Sequence, residues 1–177
     1  MPMKNIILFV FLLLTGAEAM AFRTFAPRHS VDRWGNMSIV GQYQNEIRFN
    51  DTQVYYTGYY PELFLASIDS QNRCRWFKTL RSLDESPNDI KVIVDKWGYT
   101  YLAAGMSASI LLDSMVYASP DSATEMVFLA KYDTLGHLVW YRSSHGNCST
   151  TRRGLGLDSQ NTVYVSSGDK TWLAVGA

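Results

Sequence analysis

The side chains best placed for chemistry are aspartates, and they recur in one fixed setting. Asp32, Asp69, Asp95, Asp133 and Asp158 each stand three residues before a glycine or asparagine: Gly35, Asn72, Gly98, Gly136 and Asn161. Loop carboxylates can hold calcium, which takes about 6–8 oxygen ligands supplied at alternate positions. Arg33-Trp34, Lys96-Trp97 and Gln71, which fill the intervening positions, do not make such a set. Turn chemistry accounts for the pattern better. An aspartate at the first position accepts hydrogen bonds from backbone N–H groups further along. A glycine or asparagine at the fourth tolerates the left-handed conformation that closes a type I turn with a bulge. The five aspartates, with Gly98 and Gly136, therefore read as hairpin corners.

Other candidate groups are weaker. Asp84, Glu85 and Asp89 form an acidic loop at 83–89 that could serve in acid–base work or hold a cation. An exposed, solvated loop is the expectation, since burial is what perturbs carboxylates. His145, Asn147, Arg152 and Arg153 occupy the matching loop one copy later, and such loops are where ligands are held. His29, His137 and His145 show no metal-binding spacing. Gly105–Ser109 resembles a nucleophile elbow but lacks the closing glycine and the strand-to-helix context. Trp34 and Trp97 lie within turns, where a partly exposed indole can stack on a ligand. Trp76 and Trp140 recur in strand register and are expected in the core. Catalytic, metal and cofactor-binding residues are all expected to be absent. Asn36, Asn50 and Asn147 begin glycosylation sequons, which matter only in a eukaryotic secretory route.

The elements that must position these residues come from an internal repeat. Leu63–Thr79 and Val127–Ser143 align at a constant offset of 64 (133 − 69), with Phe64/Phe128, Leu65/Leu129, Ala66/Ala130, Asp69/Asp133 and Trp76/Trp140 identical. Val31–Gly35, Val94–Gly98 and Leu157–Asn161 recur similarly, each followed by a β-rich run ending in glycine. One period reads as two hairpins, Ile90–Val94 with Tyr99–Gly105 and Met126–Tyr132 with His137–Ser143. A middle segment carries weaker strands at Ile110–Leu112 and Met115–Tyr117, matched by Glu46–Phe49 and Gln53–Tyr56 in the preceding copy. Leu63–Ala66 and Met126–Ala130 are apolar on successive residues, the mark of strands buried on both faces. The fourth strand alternates in part, which predicts Cys74 and Trp76 on one face, like Leu138 and Trp140. Small sheets covered on both faces by copies of themselves give a radial all-β array, a β-propeller of four-stranded antiparallel blades.

Composition agrees. Sixteen basic and sixteen acidic residues leave no net charge, so the electrostatic footprint of a nucleic-acid or polybasic membrane binder is missing. Aromatics at 14%, with eleven tyrosines, suit strands. Lys4, the apolar run 6–14 and a small-x-small site ending at Ala19 or Ala21 form an export signal. The domain reading is a signal peptide at 1–19, a leader at 20–30 and repeats over 31–177, with no membrane span after cleavage. Cys74 replaces Leu138 of the other copy and reads as a buried apolar group rather than a partner of Cys148.

The pattern I/V-x-V-D-x-x-G-x-x-Y-x-x-G, followed by D/E-x-F-V/L-A-K-Y/L-D-x-x-G-x-x-x-W, is similar to the SBBP-type β-propeller repeats of exported, Bacteroidetes-like bacterial proteins. The matching stretches are Val92–Gly105 and Glu125–Trp140, with weaker copies at Val31–Gly41, Glu62–Trp76 and Leu155–Gly168. The resemblance implies propeller architecture and a surface or periplasmic location; it implies no catalytic motif.

Two full units and the opening hairpin of a third are visible, fewer than the four to eight blades that close a ring. The expectation is therefore either a truncated, longer protein or a chain that self-associates through open blade faces. The functional expectation is an exported binding or interaction scaffold with a protein or glycan partner. The alternative is part of an extracellular polysaccharide hydrolase or lyase acting through rim loops.

Overall fold

The computed structural model describes residues 28–43, 45–49, 53–56, 62–82, 88–106, 109–118, 126–144, 153–167 and 170–174. The expected signal segment at 1–19 and most of the expected leader lie outside these residues. All regular structure among the described residues is β-strand. The first unit holds β1 (Arg28–Val31), β2 (Met37–Tyr43), β3 (Glu46–Phe49), β4 (Gln53–Tyr56), β5 (Glu62–Ile68) and β6 (Cys74–Ser82). The second holds β7 (Asn88–Val94), β8 (Thr100–Met106), β9 (Ser109–Leu112), β10 (Met115–Ala118), β11 (Met126–Tyr132) and β12 (Leu138–Ser143). The third holds β13 (Arg153–Leu157), β14 (Val163–Ser167) and β15 (Lys170–Ala174). Hairpins and middle strands thus fall within a residue or two of where alternation and turn residues put them.

The strands form several small antiparallel sheets. The second unit supplies a four-stranded sheet in the order β12-β11-β8-β7, and β6-β5-β2-β1 of the first unit repeats that order. Several features differ from the sequence reading. The middle hairpin β9–β10 leaves its own unit and adds to the outer strand of the preceding one, pairing Leu111 with Arg81 and Ile110 with Ser82. The first sheet becomes six-stranded as a result, whereas the equivalent hairpin β3–β4 forms a separate two-stranded sheet. In the third unit, β15 lies on β14 where β5 and β11 lie on β2 and β8. The leader also starts the fold earlier than expected: Arg28, His29 and Ser30 pair with Val40, Ile39 and Ser38. β1 lies beside β7, and β7 beside β13.

Strand alternation sends neighbouring residues into different apolar clusters. In β5, Leu63 and Leu65 belong to a cluster shared by the first two units, while Phe64, Ala66 and Ile68 face the other way. That second face holds Met37, Ile39, Tyr43, Phe49 and Cys74 as well. Phe64 and Phe77 stack there at 5.9 Å, with Phe49 edge-on to both. The shared cluster adds Val40, Trp76 and Leu80 of the first unit to Val92, Leu102, Ile110, Leu112, Phe128 and Tyr132 of the second. A third cluster joins Tyr101, Ala103, Val127 and Leu129 of the second unit to Val163 and Val165 of the third. Each position therefore moves one cluster along with each repeat: Leu65 and Trp76 fill the first seam, Leu129 and Trp140 the second. Fully burying one such side chain contributes about 1.5–3 kcal/mol.

The expectation that Cys74 and Trp76 share a face is corrected by a bulge. Ser67 pairs with Trp76 and Ile68 with Cys74, so Arg75 is an extra residue; Val139 is its counterpart between Leu138 and Trp140. The inserted residue reverses the alternation. Cys74 goes to the aromatic face and Trp76 to the first seam. Cys74 is buried, and its Sγ donates to the Trp76 carbonyl at 3.3 Å. Cys148 lies outside the described residues.

Candidate binding rim

The five aspartates build five copies of one turn. In each, Oδ1 accepts the backbone N–H groups two and four residues on. These are Trp34 and Asn36 for Asp32, Gln71 and Arg73 for Asp69, and Trp97 and Tyr99 for Asp95. For Asp133 they are Leu135 and His137, and for Asp158 Gln160 and Thr162. The N–H of Gly35, Asn72, Gly98, Gly136 or Asn161 donates to the aspartate's own carbonyl, closing the turn. All five of those residues have positive φ, from 63° to 87°. Oδ2 takes a different partner each time: the Asn36 amide, the Arg73 guanidinium, the Tyr101 hydroxyl, the His137 ring or the Tyr164 hydroxyl.

Both oxygens of every aspartate are thus engaged by the protein's own donors, the arrangement that turn chemistry asks of them. The titration follows from the same bonds. The Arg73 N–H holds Asp69 below its ordinary carboxylate value, and the Thr162 N–H does the same for Asp158. At Asp133 partial burial works upward, but the N–H and ring of His137 win and the carboxyl stays lowered. Burial first, then the Asp95 charge, pushes the Tyr101 hydroxyl up.

Turns of neighbouring units meet at one end of the sheets. A Cβ on Gly98 would stand 3.3 Å from the Thr134 methyl, 3.7 Å from Asp32 Oδ2 and 3.8 Å from the Trp34 ring. Arg75 donates to the Thr134 carbonyl at 3.2 Å, and Lys96 to the Ser159 carbonyl at 3.5 Å. Gly136 is fixed on two counts: its φ is 87°, and a Cβ there would come within 2.7 Å of the Trp76 ring. The rim so formed exposes large apolar groups, Trp34 at 50%, Trp97 at 46% and Leu135 at 69%. The Arg33 guanidinium stands 4.2 Å over the Trp34 ring and the Lys96 ammonium 4.5 Å over Trp97.

Of the residues singled out from sequence, this arrangement brings together Asp32, Asp95, Asp133, Gly98, Gly136, Trp34 and Trp97. Trp76 and Trp140 sit in the first and second seams, and the Trp76 ring nitrogen is buried without a hydrogen-bond partner. Asp89 departs from the solvated-loop reading. It lies in β7 at φ 45°, part-buried, with the Lys91 ammonium on its carboxylate. Arg153 has its backbone in β13. Asp84, Glu85, His145 and Arg152 lie outside the described residues. Among the described residues no group of three or more His, Cys, Asp or Glu stands together as a metal site.

Sequence reasoning used Arg33 and Lys96 only to argue against a calcium loop, and it passed over Leu135. Their signal was available, since a cation precedes each turn tryptophan. It also passed over the tyrosines six residues after Asp95 and Asp158. No protein-family model matches the chain, and no curated protein matches it.

Proposed function

We propose that the chain is an exported scaffold of β-propeller-type repeats, of the SBBP type, that holds a partner against the turn end of its stacked sheets. The observation carrying this reading is the pair of half-exposed indoles, Trp34 and Trp97, at equivalent places on the internally saturated first turns of two consecutive units. Each turn keeps its shape without help from a ligand, because its aspartate already satisfies the orphan N–H groups. A rigid frame with a variable side chain at the tip is how binding loops on a scaffold work. Shared apolar clusters between successive units support the repeat-on-repeat stacking that a propeller needs.

The test is a glycan and peptide array probed with the full chain beside a Trp34→Ala/Trp97→Ala variant. The reading expects a ligand class retained by the parent and lost by the variant. Identical profiles for the two proteins would overturn it.

A further inference from the structure

The rim is chemically uneven, and its unevenness points to a class of ligand. The residue two places after each aspartate is Trp34, Gln71, Trp97, Leu135 or Gln160. At that position the turn uses only the backbone N–H, so nothing in turn geometry requires an indole. Even with a cation over each ring, about half of each tryptophan is left in water, which is unfavourable for apolar surface unless something covers it.

The charged groups that stand over the two indoles are both cations. Asp32 and Asp95 are buried, with their oxygens engaged inside the turns. Arg33 and Lys96 are exposed and lie over the indoles; Arg75 is exposed beside Thr134. Lys96 and Arg75 also donate to the Ser159 and Thr134 carbonyls, which anchors both cations at the rim.

We propose that the Trp34–Trp97 row binds an acidic polysaccharide, with sugar C–H faces on the indoles and carboxylates on Arg33 and Lys96. This rests on the rim reading above and adds the ligand's charge. Stacked sheets lie about 10 Å apart, an interval that two residues of an extended sugar chain span. The third unit carries Ser159 and Gln160 in place of the cation and indole, so the row stops there and suits a short oligosaccharide. Single-stranded nucleic acid also combines flat rings with anions, but its binders track the backbone along a continuous basic groove. A chain of zero net charge whose exposed cations alternate with indoles fits a sparser anion.

The test titrates the full chain with oligogalacturonate, a neutral cello-oligosaccharide and a single-stranded oligonucleotide, following tryptophan fluorescence and heat at low and moderate salt. Oligogalacturonate is expected to bind, more weakly as salt rises. Trp34→Ala/Trp97→Ala should weaken it at least tenfold. Arg33→Gln/Lys96→Gln should weaken it and flatten the salt dependence, with the fold intact because both side chains are exposed. Equal, tryptophan-dependent binding of the neutral sugar would overturn the acidic assignment while keeping the rim. Tighter binding of the oligonucleotide would overturn the assignment in favour of nucleic acid. Failure of all three ligands would overturn the assignment, and the array described above then decides separately whether the rim binds anything.

Discussion

The two seams between units are built from equivalent positions yet held differently. Across the first, Leu65, Trp76, Leu102 and Phe128 pack together, Ser38 and Thr100 share a hydrogen bond of 2.6 Å, and β9 crosses over to pair with β6. Among the described residues, the second is covered by fewer buried apolar side chains and no strand crosses it. Where Ser67 sits in the first seam, the second buries Lys131. Its ammonium stands 4.4 Å and 5.2 Å from the Tyr99 and Tyr101 rings. The difference shows that an internal repeat specifies which faces meet without specifying how firmly they hold. Firmness comes from the few positions where the copies diverge.

The sharpest way to break this comparison is to loosen each seam in turn. Ile110 and Leu112 are fully buried on β9, and replacing either with alanine should cost about 2–5 kcal/mol. Val165→Ala removes less volume, about 0.8 kcal/mol per lost methylene before any cavity cost. Hydrogen exchange should then show β9 variants exposing strands of both the first and second units together. Val165→Ala should expose β13–β15 alone. If both variants open the whole chain uniformly, the seams are equivalent and the comparison fails.

A smaller effect is expected at Lys131. Cation–aromatic contact offsets only part of the cost of burying an ammonium, so Lys131→Met should stabilise the second seam by about 1 kcal/mol. Slower exchange in β14 would show it. Faster exchange would mean that the lysine holds the seam.

The smallest expected effect is in acid. Asp69, Asp133 and Asp158 have folded-state values below the ordinary 3.8. Their unfolded forms therefore bind protons first. The stability they contribute is complete above pH 3.8 and declines as the pH falls below it toward the folded values. Because these groups are partly exposed, salt should shrink the effect. Urea midpoints on either side of pH 3.8, for the parent and for Asp158→Asn, would measure it. A parent midpoint that stays flat below pH 3.8 would sink this account.

Strands and turns were legible because both are local. Asp69-Ser-Gln-Asn72 writes its own corner, and Leu63–Ala66 shows burial on both faces without reference to any other segment. What escaped was relational. The extra residues Arg75 and Val139 look like ordinary strand residues until register is known, so Cys74 and Trp76 could not be sent to opposite faces. The destination of Ser109–Leu112 depends on which edge lies near it in space. Asp89 read as solvated because the partnering of Lys91 is a matter of backbone conformation at φ 45°. At the rim, the tryptophans were visible as turn residues, while their neighbours Arg33 and Lys96 gained meaning only once each was seen lying over a ring.

The crossing of β9 onto β6 bears on how such a chain can change by duplication or loss of repeats. A cut at the sequence boundary between the first two copies severs a sheet, since two of the first sheet's strands are encoded in the second copy. Insertion or deletion between these two copies is therefore tolerated only when the β9 arm still finds the β6 edge. Lineages would inherit the arm and its acceptor strand as a pair, and covariation between Ile110–Leu111 and Arg81–Ser82 is where that inheritance would be written.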